Sequence, residues 1–209
     1  MASLDRRGVR VAVNSAARRP ARDLALVAVF AGVVAALGLV PAIPVPVIPV
    51  PVTAQTLGVM LAGAVLGARR GFLALVLFVA LVVLGLPLLA GGRGGLAVLV
   101  GPSAGFLVGF PFAALVTGWL SSLLLVRGVY RLGAGIVAAL AGGVVVEYMF
   151  GVIGFLLVTG ASPVPVLVFL PGDVVKAILA ALIARGVHKA YPGLLTNRGA
   201  GRMSASVSV

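Results

Sequence analysis

Residues 132–158, LGAGIVAALAGGVVVEYMFGVIGFLLV, form a long apolar stretch in which Glu147 is the one charged residue. A transmembrane helix needs about 20 consecutive apolar residues, so this stretch can cross a bilayer. The whole chain of 209 residues has the same character: 62% are hydrophobic, 10% are charged, and the mean hydropathy is +1.26. These values exclude a water-soluble globular protein and a disordered chain. We expect an all-α integral membrane protein with six transmembrane helices.

Further apolar stretches on both sides of this one complete the six helices. The predicted helices are 22–40, 53–68, 72–88, 103–126, 132–158 and 171–188. Between the first two, residues 41–52 carry a proline at almost every second position, which forbids a helix interior and favours extended, polyproline-II-like backbone. Non-helical apolar backbone at membrane depth must be covered by protein or line a cavity. We therefore expect an extended Pro-rich outer loop that caps the bundle, and a second extended stretch at 162–166.

The positive charges predict the orientation, because Lys and Arg concentrate in cytoplasmic segments. With the N-terminus and the C-terminus inside, all of the 16 Lys and Arg except Arg93 and Lys176 fall in inner segments. We predict a basic cytoplasmic tail at 1–21, a six-helix membrane domain at 22–190 and a flexible cytoplasmic tail at 191–209. The inner residues include a tight basic turn at 69–71 and further Arg at the predicted inner ends, namely Arg127, Arg131, Arg185, Arg198 and Arg202.

The residue inventory excludes several kinds of chemistry. The chain has no Cys, one His and only four acidic residues, which removes thiolate metal sites and makes a hydrolytic triad implausible. It has no Gly-Lys pair and so no phosphate-binding P-loop, and it cannot hydrolyse ATP by that route. The net charge of +12 is explained by orientation in the membrane rather than by nucleic acid. We expect neither an enzyme nor a bound cofactor or metal.

Four charged residues do not fit the inner loops: Arg93, Glu147, Asp173 and Lys176. A charge at bilayer depth costs about 2.5–3.5 kcal/mol on insertion scales, so such residues tend to be paired and functional. Asp173 and Lys176 are three residues apart and share one helix face. They form either a structural ion pair or an acceptor and a donor for one ligand. Glu147 either contacts the ligand, pairs with Arg93 or Lys176, or packs structurally.

Polar groups near these charges complete a candidate binding site. Glycines surround Arg93 and allow backbone N–H groups to converge on an anion, although a flexible loop with a solvated Arg would have the same sequence. Gln55 lies near the outer end of the second helix, and Tyr148 follows Glu147. The pocket suits a small amphipathic anion with an amide-like head. The candidate ligand-binding residues are Gln55, Gly91, Gly92, Arg93, Gly94, Gly95, Glu147, Tyr148, Asp173 and Lys176.

Small residues recur at spacing four on the first helix, where they allow another helix to approach closely in lipid. These residues are Ala28, Ala31, Gly32 and Ala35. They serve either packing within the chain or docking of a partner membrane protein.

Several motifs, in order and spacing, resemble the BioY family. They are PVTAQTLGVMLAG at 51–63, GLP at 85–87, AGGRGGL at 90–96, GPSAGFLVGF at 101–110 and PGDVVK at 171–176. The resemblance covers about 22–190. It implies a biotin-binding S component of an energy-coupling factor (ECF) transporter in the cell membrane, which works with a transmembrane coupling (T) protein and a pair of ABC-type ATPases. It also favours docking of the coupling protein for the small-residue face, which matches the family's A-x-x-x-A surface.

Biotin fits the inventory of the predicted pocket. Its ureido ring has two N–H donors and one carbonyl, which suit Asp173 and Lys176, and its valerate carboxylate suits Arg93 and the loop N–H groups. Which cation meets which end of biotin stays open.

Three other functions are compatible with parts of the sequence. An S component for thiamine or riboflavin would take a cationic or aromatic ligand, whereas this pocket favours an anion. A stand-alone secondary transporter of biotin or another small carboxylate vitamin would use Glu147 or Asp173 as proton carrier. An intramembrane enzyme would need a nucleophile motif that the sequence lacks.

Overall fold

The structure is a computed structural model that describes residues 6–46, 48–124, 130–191 and residue 195. Most of this part of the chain is helical, as the composition predicted. The predicted inner positions of Arg127, Arg198 and Arg202 lie outside the described residues, and so does nearly all of the predicted tail at 191–209.

Seven α-helices and one two-stranded sheet build the described part of the chain. The bounds are α1 (Arg6–Leu37), β1 (Ile43–Val45), β2 (Ile48–Val52), α2 (Gln55–Leu66), α3 (Ala68–Val83), α4 (Ala104–Leu123), α5 (Leu132–Leu140), α6 (Glu147–Thr159) and α7 (Leu170–Ala190). A π-helical segment, Ala141–Val146, joins α5 to α6 without a break. Short 3-10 helices at Leu96–Leu99 and Val164–Phe169 precede α4 and α7.

Four helical stretches in the described residues are long and apolar enough to cross a membrane. They are Pro20–Leu37, Ala104–Leu123, Leu132–Thr159 and Val164–Ala190. Helices α2 and α3 are also apolar, but their 12 and 16 residues fall short of the about 20 that a full crossing needs. Large apolar side chains such as Leu157 and Trp119 point away from the bundle, as expected for a surface in contact with lipid.

Helix α1 differs from the predicted 22–40 at both ends. It begins at Arg6, because the Arg and Ala residues of the predicted tail are good helix formers and hydropathy locates only the part of a helix that meets lipid. It ends at Leu37, and Gly38 N–H bonds Ala35 O at 2.9 Å in a tightened last turn. Pro41 follows closely and disfavours helical backbone in the residue before it.

The turn between α2 and α3 lies at Gly67, so the predicted tight basic turn at 69–71 is wrong. Gly67 has a φ of +81°, a conformation that glycine adopts without strain, and α3 begins at the next residue. Arg69 and Arg70 therefore belong to the first turn of α3. Arg70 Nη2 lies 2.8 Å from Asp23 Oδ1, which ties this end of α3 to α1.

Helix α4 lies at the centre of the bundle and packs against α2, α3 and α6. Glycines allow two of these contacts to be close. A Cβ at Gly105 of α4 would collide with backbone atoms of α6, among them those of Gly154, and a Cβ at Gly118 would collide with the Gly67–Ala68 backbone. Close backbone approach of this kind is how helices associate in lipid, where no hydrophobic force drives them together.

The Pro-rich segment forms an antiparallel hairpin of β1 and β2. The register pairs Ile43 with Val52 and Val45 with Ile48. Pro44, Pro49 and Pro51 lie between these pairs, where the register shifts. Proline in a sheet is confined to edge strands and bulges, and both strands of a two-stranded sheet are edges. The sequence predicted extended backbone here, but it did not predict that the two halves of the segment pair as antiparallel strands.

The prediction of a second extended stretch at 162–166 is wrong. Residues Val164–Phe169 form a 3-10 helix that begins after Pro163, and Val166 N–H bonds Pro163 O at 2.9 Å. Proline fits the start of a helical turn because its missing N–H has no partner there. The turn continues directly into α7 and places Phe169 in the wall of the central cavity.

Candidate functional site

A cavity opens between the β1–β2 hairpin, the loop before α4 and residues of α2, α4, α6 and α7. The cavity and the open solvent at its mouth together comprise about 590 Å³ of atom-free space. The apolar part of its wall includes Val50, Val52, Leu89, Phe106, Leu107, Phe110 and Phe169, and the polar part is Thr53, Gln55, Thr56, Arg93, Ser103, Glu147, Asp173 and Lys176. Apolar walls with a few converging polar groups are typical of small-molecule sites.

Asp173 and Lys176 form the ion pair that their spacing predicted. Lys176 Nζ lies 2.9 Å from Asp173 Oδ1, and both side chains are largely buried. Asp173 stands in the first turn of α7, where the helix dipole stabilises a carboxylate. The pair is internal to α7 and yet faces the cavity, so the structural and the ligand-binding interpretations are compatible.

Thr56 and Tyr148 connect this ion pair to two other helices. Lys176 Nζ donates to Thr56 Oγ1 at 2.9 Å, and Thr56 Oγ1 lies 3.2 Å from Asp173 Oδ1. The Tyr148 hydroxyl donates to the second carboxylate oxygen, Asp173 Oδ2, at 2.7 Å. The carboxylate is therefore held from α2, α6 and α7 at once, which fixes its orientation.

Gln55 lines the cavity, but its polar atoms are engaged with the backbone. Its Nε2 donates to Leu88 O at 3.0 Å and to Val34 O at 3.3 Å, and Ala90 N–H donates to its Oε1 at 3.1 Å. One buried amide thus joins α1, α2 and the loop that carries Arg93. The predicted contact of Gln55 with ligand stays a prediction.

Arg93 lies at the exposed mouth of the cavity. Its Nε donates to Ala90 O at 3.3 Å and its Nη1 lies 3.4 Å from Ser103 Oγ. A short bridge between Leu89 and Arg93 closes the loop. Ser103 belongs to the motif at 101–110 that resembles the BioY family, although it was not predicted as a site residue.

The glycines around Arg93 shape the loop and are absent from the cavity wall. Gly91, Gly92 and Gly95 have φ values of +81°, +69° and +82°, and a Cβ at Gly94 would collide with Leu86 O. Gly92 N–H bonds Leu89 O and Gly95 N–H bonds Val82 O, at 2.9 and 2.7 Å. The predicted anion contact of these N–H groups stays a prediction.

Glu147 is 1% exposed and lies in the cavity wall. Its Oε2 has no hydrogen-bond partner in the described part of the chain. Among the described residues, no ion pair joins Glu147 to Arg93 or Lys176. Of the three predicted roles of Glu147, the structure thus does not show the ion pair, and contact with a ligand and structural packing remain.

Aromatic rings form the apolar wall, and composition alone did not indicate them. The Phe106 ring meets the rings of Tyr148 and Phe169 edge to face, with centroids 6.1 and 6.4 Å apart. Phe110 stacks on Phe78 behind the wall. Thr56 was also missed, because a single Thr at a helix start has many explanations and its partners are more than 100 positions away.

The small residues of α1 divide between two faces. Ala31 is 3% exposed and packs in the core of the chain, whereas Ala28 and Gly32 are exposed and Ala35 is half-buried. Outside the adjacent backbone of α1, no atom of the described chain lies within 4 Å of the place that a Cβ at Gly32 would take. Packing within the chain therefore explains Ala31, and docking of a partner would involve Ala28 and Gly32.

A comparison with protein families matches residues 9–193 to the family described as BioY. A protein of Rhizobium etli named biotin transporter BioY is 51% identical over 178 residues, which are 82% of this chain and 95% of that protein. A biotin transporter BioY of Rhodobacter capsulatus is 47% identical over 191 residues, which are 85% and 99% of the two chains.

A solved structure has the same fold. It is the crystal structure of the S-component for biotin from an ECF-type ABC transporter, and it superposes with a TM-score of 0.78 at 32% identity. The match covers 82% of this chain and 93% of the other.

Proposed function

Since the chain belongs to the BioY family, we propose that it is the biotin-binding S component of an ECF-type ABC importer. It is a multi-pass protein of the cell membrane. In this role it captures biotin from outside the cell and uses no cofactor and no catalytic step of its own. Uptake is energised by ATPases on separate chains, in agreement with the absence of a P-loop from the sequence.

We propose six membrane-embedded helices, with the N-terminus and the C-terminus of the chain inside. Four of the helices are long enough for a full crossing. The described chain alternates in direction through α1, α2, α3, α4, the continuous α5–α6 helix and α7. The Asp23–Arg70 ion pair brings the start of the apolar part of α1 to the α2–α3 turn, where the basic residues belong if this end is cytoplasmic. The cavity then opens at the opposite, outer end.

The observation that carries the proposal is the division of the cavity into a buried and an exposed end. Asp173 and Glu147 are 4% and 1% exposed, whereas Arg93 lies exposed at the mouth. A neutral ureido ring fits the buried end, where it exchanges hydrogen bonds with fixed polar groups. A valerate carboxylate fits the mouth, where Arg93 can bind it with a charge-assisted pair, and the apolar thiophane ring lies between, against the phenylalanines.

Binding of radiolabelled biotin to the purified chain tests this function. We expect saturable binding that unlabelled biotin displaces and that thiamine and riboflavin do not. Displacement by either of those vitamins at equal concentration, or no biotin binding at all by a folded preparation, would contradict the proposal.

We further propose a transmembrane coupling protein and a pair of ABC-type ATPases as partners. The exposed Ala28 and Gly32 support a close contact with a helix of the coupling protein, because small residues let helices approach in lipid. Co-purification of the three kinds of chain checks the assembly.

A second candidate function is favoured by the buried Glu147 carboxyl. A chain that carries biotin or another small carboxylate vitamin on its own would need a proton carrier within the membrane, and Glu147 is placed for that. Uptake into vesicles that contain this chain alone, abolished by an uncoupler and insensitive to ATP depletion, would favour this candidate over the importer.

A further inference from the structure

The hydrogen-bonding capacity of the Asp173 carboxylate is largely used by the protein. Its Oδ1 meets Lys176 Nζ at 2.9 Å and Thr56 Oγ1 at 3.2 Å, and its Oδ2 accepts from the Tyr148 hydroxyl at 2.7 Å. A carboxylate offers about four acceptor positions, so these contacts leave little for a ligand. The ureido ring of biotin has two N–H donors, and at least one of them needs an acceptor other than Asp173.

Glu147 provides such an acceptor at the same end of the cavity. It lies in the wall beside Asp173 and Lys176, it is 1% exposed, and its Oε2 has no partner in the described part of the chain. A buried polar atom without a hydrogen bond is unfavourable, and native proteins retain few of them without a reason. A ligand N–H would satisfy this one.

The backbone before Glu147 holds the side chain in this place. The π-helical segment Ala141–Val146 ends directly before it, and such segments are frequent at functional sites because they change the direction of the side chains that follow. Within the segment, Gly142 lies so close to Thr117 and Ala113 of α4 that a Cβ would collide with both. This contact fixes the segment against the central helix, and Glu147 with it.

We propose that Glu147 determines specificity for the ureido ring: its Oε2 accepts a hydrogen bond from one ureido N–H. The ureido carbonyl then accepts from the remaining N–H of Lys176, and Asp173 orients that lysine. The inference rests on the proposed function, since it takes biotin as the ligand. It assigns to Glu147 the contact that the sequence left open among three alternatives.

The test compares two substitutions in the full-length purified chain with a matched control. Glu147→Leu removes both oxygens at similar volume, and Glu147→Gln keeps one acceptor oxygen and replaces the other with an amide nitrogen. Ser121→Ala is the control, because Ser121 is also a buried polar residue, at 2% exposed, but it is absent from the cavity wall. Ligands are biotin and two analogues that carry a methyl group on one or the other ureido nitrogen.

We expect biotin affinity to fall about tenfold or more in Glu147→Leu, with Glu147→Gln between that variant and the wild type. Ser121→Ala should stay within about twofold of the wild type. One methylated analogue should bind the wild type weakly and lose almost nothing further in Glu147→Leu, because the donor that Glu147 meets is already blocked.

Two results would overturn the assignment while the proposed function stands. One is unchanged biotin affinity in both Glu147 variants. The other is an equal loss for biotin and for both analogues, which would indicate that Glu147 supports the cavity without touching the ligand. If the wild-type chain itself does not bind biotin, the proposed function fails. The binding measurement on the wild type therefore separates failure of the proposed function from failure of the Glu147 assignment.

Discussion

The Tyr148 hydroxyl donates a hydrogen bond of 2.7 Å to Oδ2 of Asp173 and so joins α6 to the first turn of α7. The two residues are 25 positions apart in the chain and meet at the buried end of the cavity. Because Glu147 directly precedes Tyr148, this bond also limits how α6 can move beside the proposed ureido site. The geometry of the site therefore depends on contacts between helices as much as on the residues that face the ligand.

Replacing Tyr148 with Phe should weaken biotin binding without disturbing the wall. The ring keeps its edge-to-face contact with Phe106, but a hydrogen bond to a charged group is lost, which costs about 1.5–3 kcal/mol. Only part of this affects the ligand, so we expect a loss of affinity of several-fold. Equilibrium binding of biotin measures it, and unchanged affinity would show that Asp173 is held well enough by Thr56 and Lys176.

Asp173→Asn and Lys176→Ala should each weaken biotin binding about tenfold or more, because each removes a charge-assisted hydrogen bond or its support in a buried site. Asp23→Asn is the matched control, since Asp23 also forms an ion pair, at 2.8 Å with Arg70, but is absent from the cavity wall. Equilibrium binding of biotin to all three variants tests whether the Asp173–Lys176 pair contributes to ligand binding. Equal affinity in the two α7 variants and the control would make the pair purely structural.

Arg93→Ala should weaken the binding of biotin more than that of a biotin analogue whose carboxylate is amidated. The exposed guanidinium at the mouth is proposed to bind the valerate carboxylate, and an amide removes the charge that it recognises. Competition assays with both ligands give the two ratios. If both ligands lose the same factor, Arg93 does not contact the valerate end.

Gln55→Leu should destabilise the fold more than it changes the ligand contacts. The substitution leaves the buried Ala90 N–H without its partner, at about 1–3 kcal/mol, and removes the partner of the part-buried Leu88 O as well. Thermal unfolding in detergent should occur at a clearly lower temperature than for the wild type. Ser122→Ala, which removes only a 2.8 Å bond to Gly118 O within α4, is the control and should unfold near the wild-type temperature.

Hydropathy and charge were sufficient to predict the helical membrane architecture, because long apolar stretches have few alternatives in a bilayer. The same information did not locate Gly67 as the end of α2 or Arg6 as the start of α1. Those boundaries depend on a backbone conformation and on helix propensity rather than on contact with lipid. The hairpin was missed because its register arises from pairing across a turn, whereas the prolines indicated only that the segment is not a helix.

The site was predictable where neighbouring residues form it and not where distant helices meet. Asp173 and Lys176 stand three positions apart, so their contact follows from helix geometry. Thr56 joins them from 117 and 120 positions away, and nothing local in the sequence indicates that meeting. The division of the small residues of α1 into a buried and an exposed set likewise depends on how α1 is rotated against α2 and α3.

That rotation makes the docking of the coupling protein testable with one buried and one exposed residue of the same helix. Gly32 is exposed with open space around its Cα, whereas Ala31 is buried in the core. Gly32→Leu should leave folding and biotin binding intact but abolish ATP-driven uptake, because the added side chain separates two helices that must approach closely in lipid. Ala31→Leu should instead overpack the chain, at about 1–3 kcal/mol, and lower its unfolding temperature.

Val29→Leu is the matched control for this pair, since Val29 is already bulky and 59% exposed on the same helix. It should affect neither binding nor uptake. Three measurements on each variant separate the roles: unfolding temperature, equilibrium biotin binding by the isolated chain, and uptake into vesicles that contain all components. The docking hypothesis fails if Gly32→Leu supports uptake at the wild-type rate, or if it loses biotin binding and uptake together, since either result would place the partner surface elsewhere on the protein.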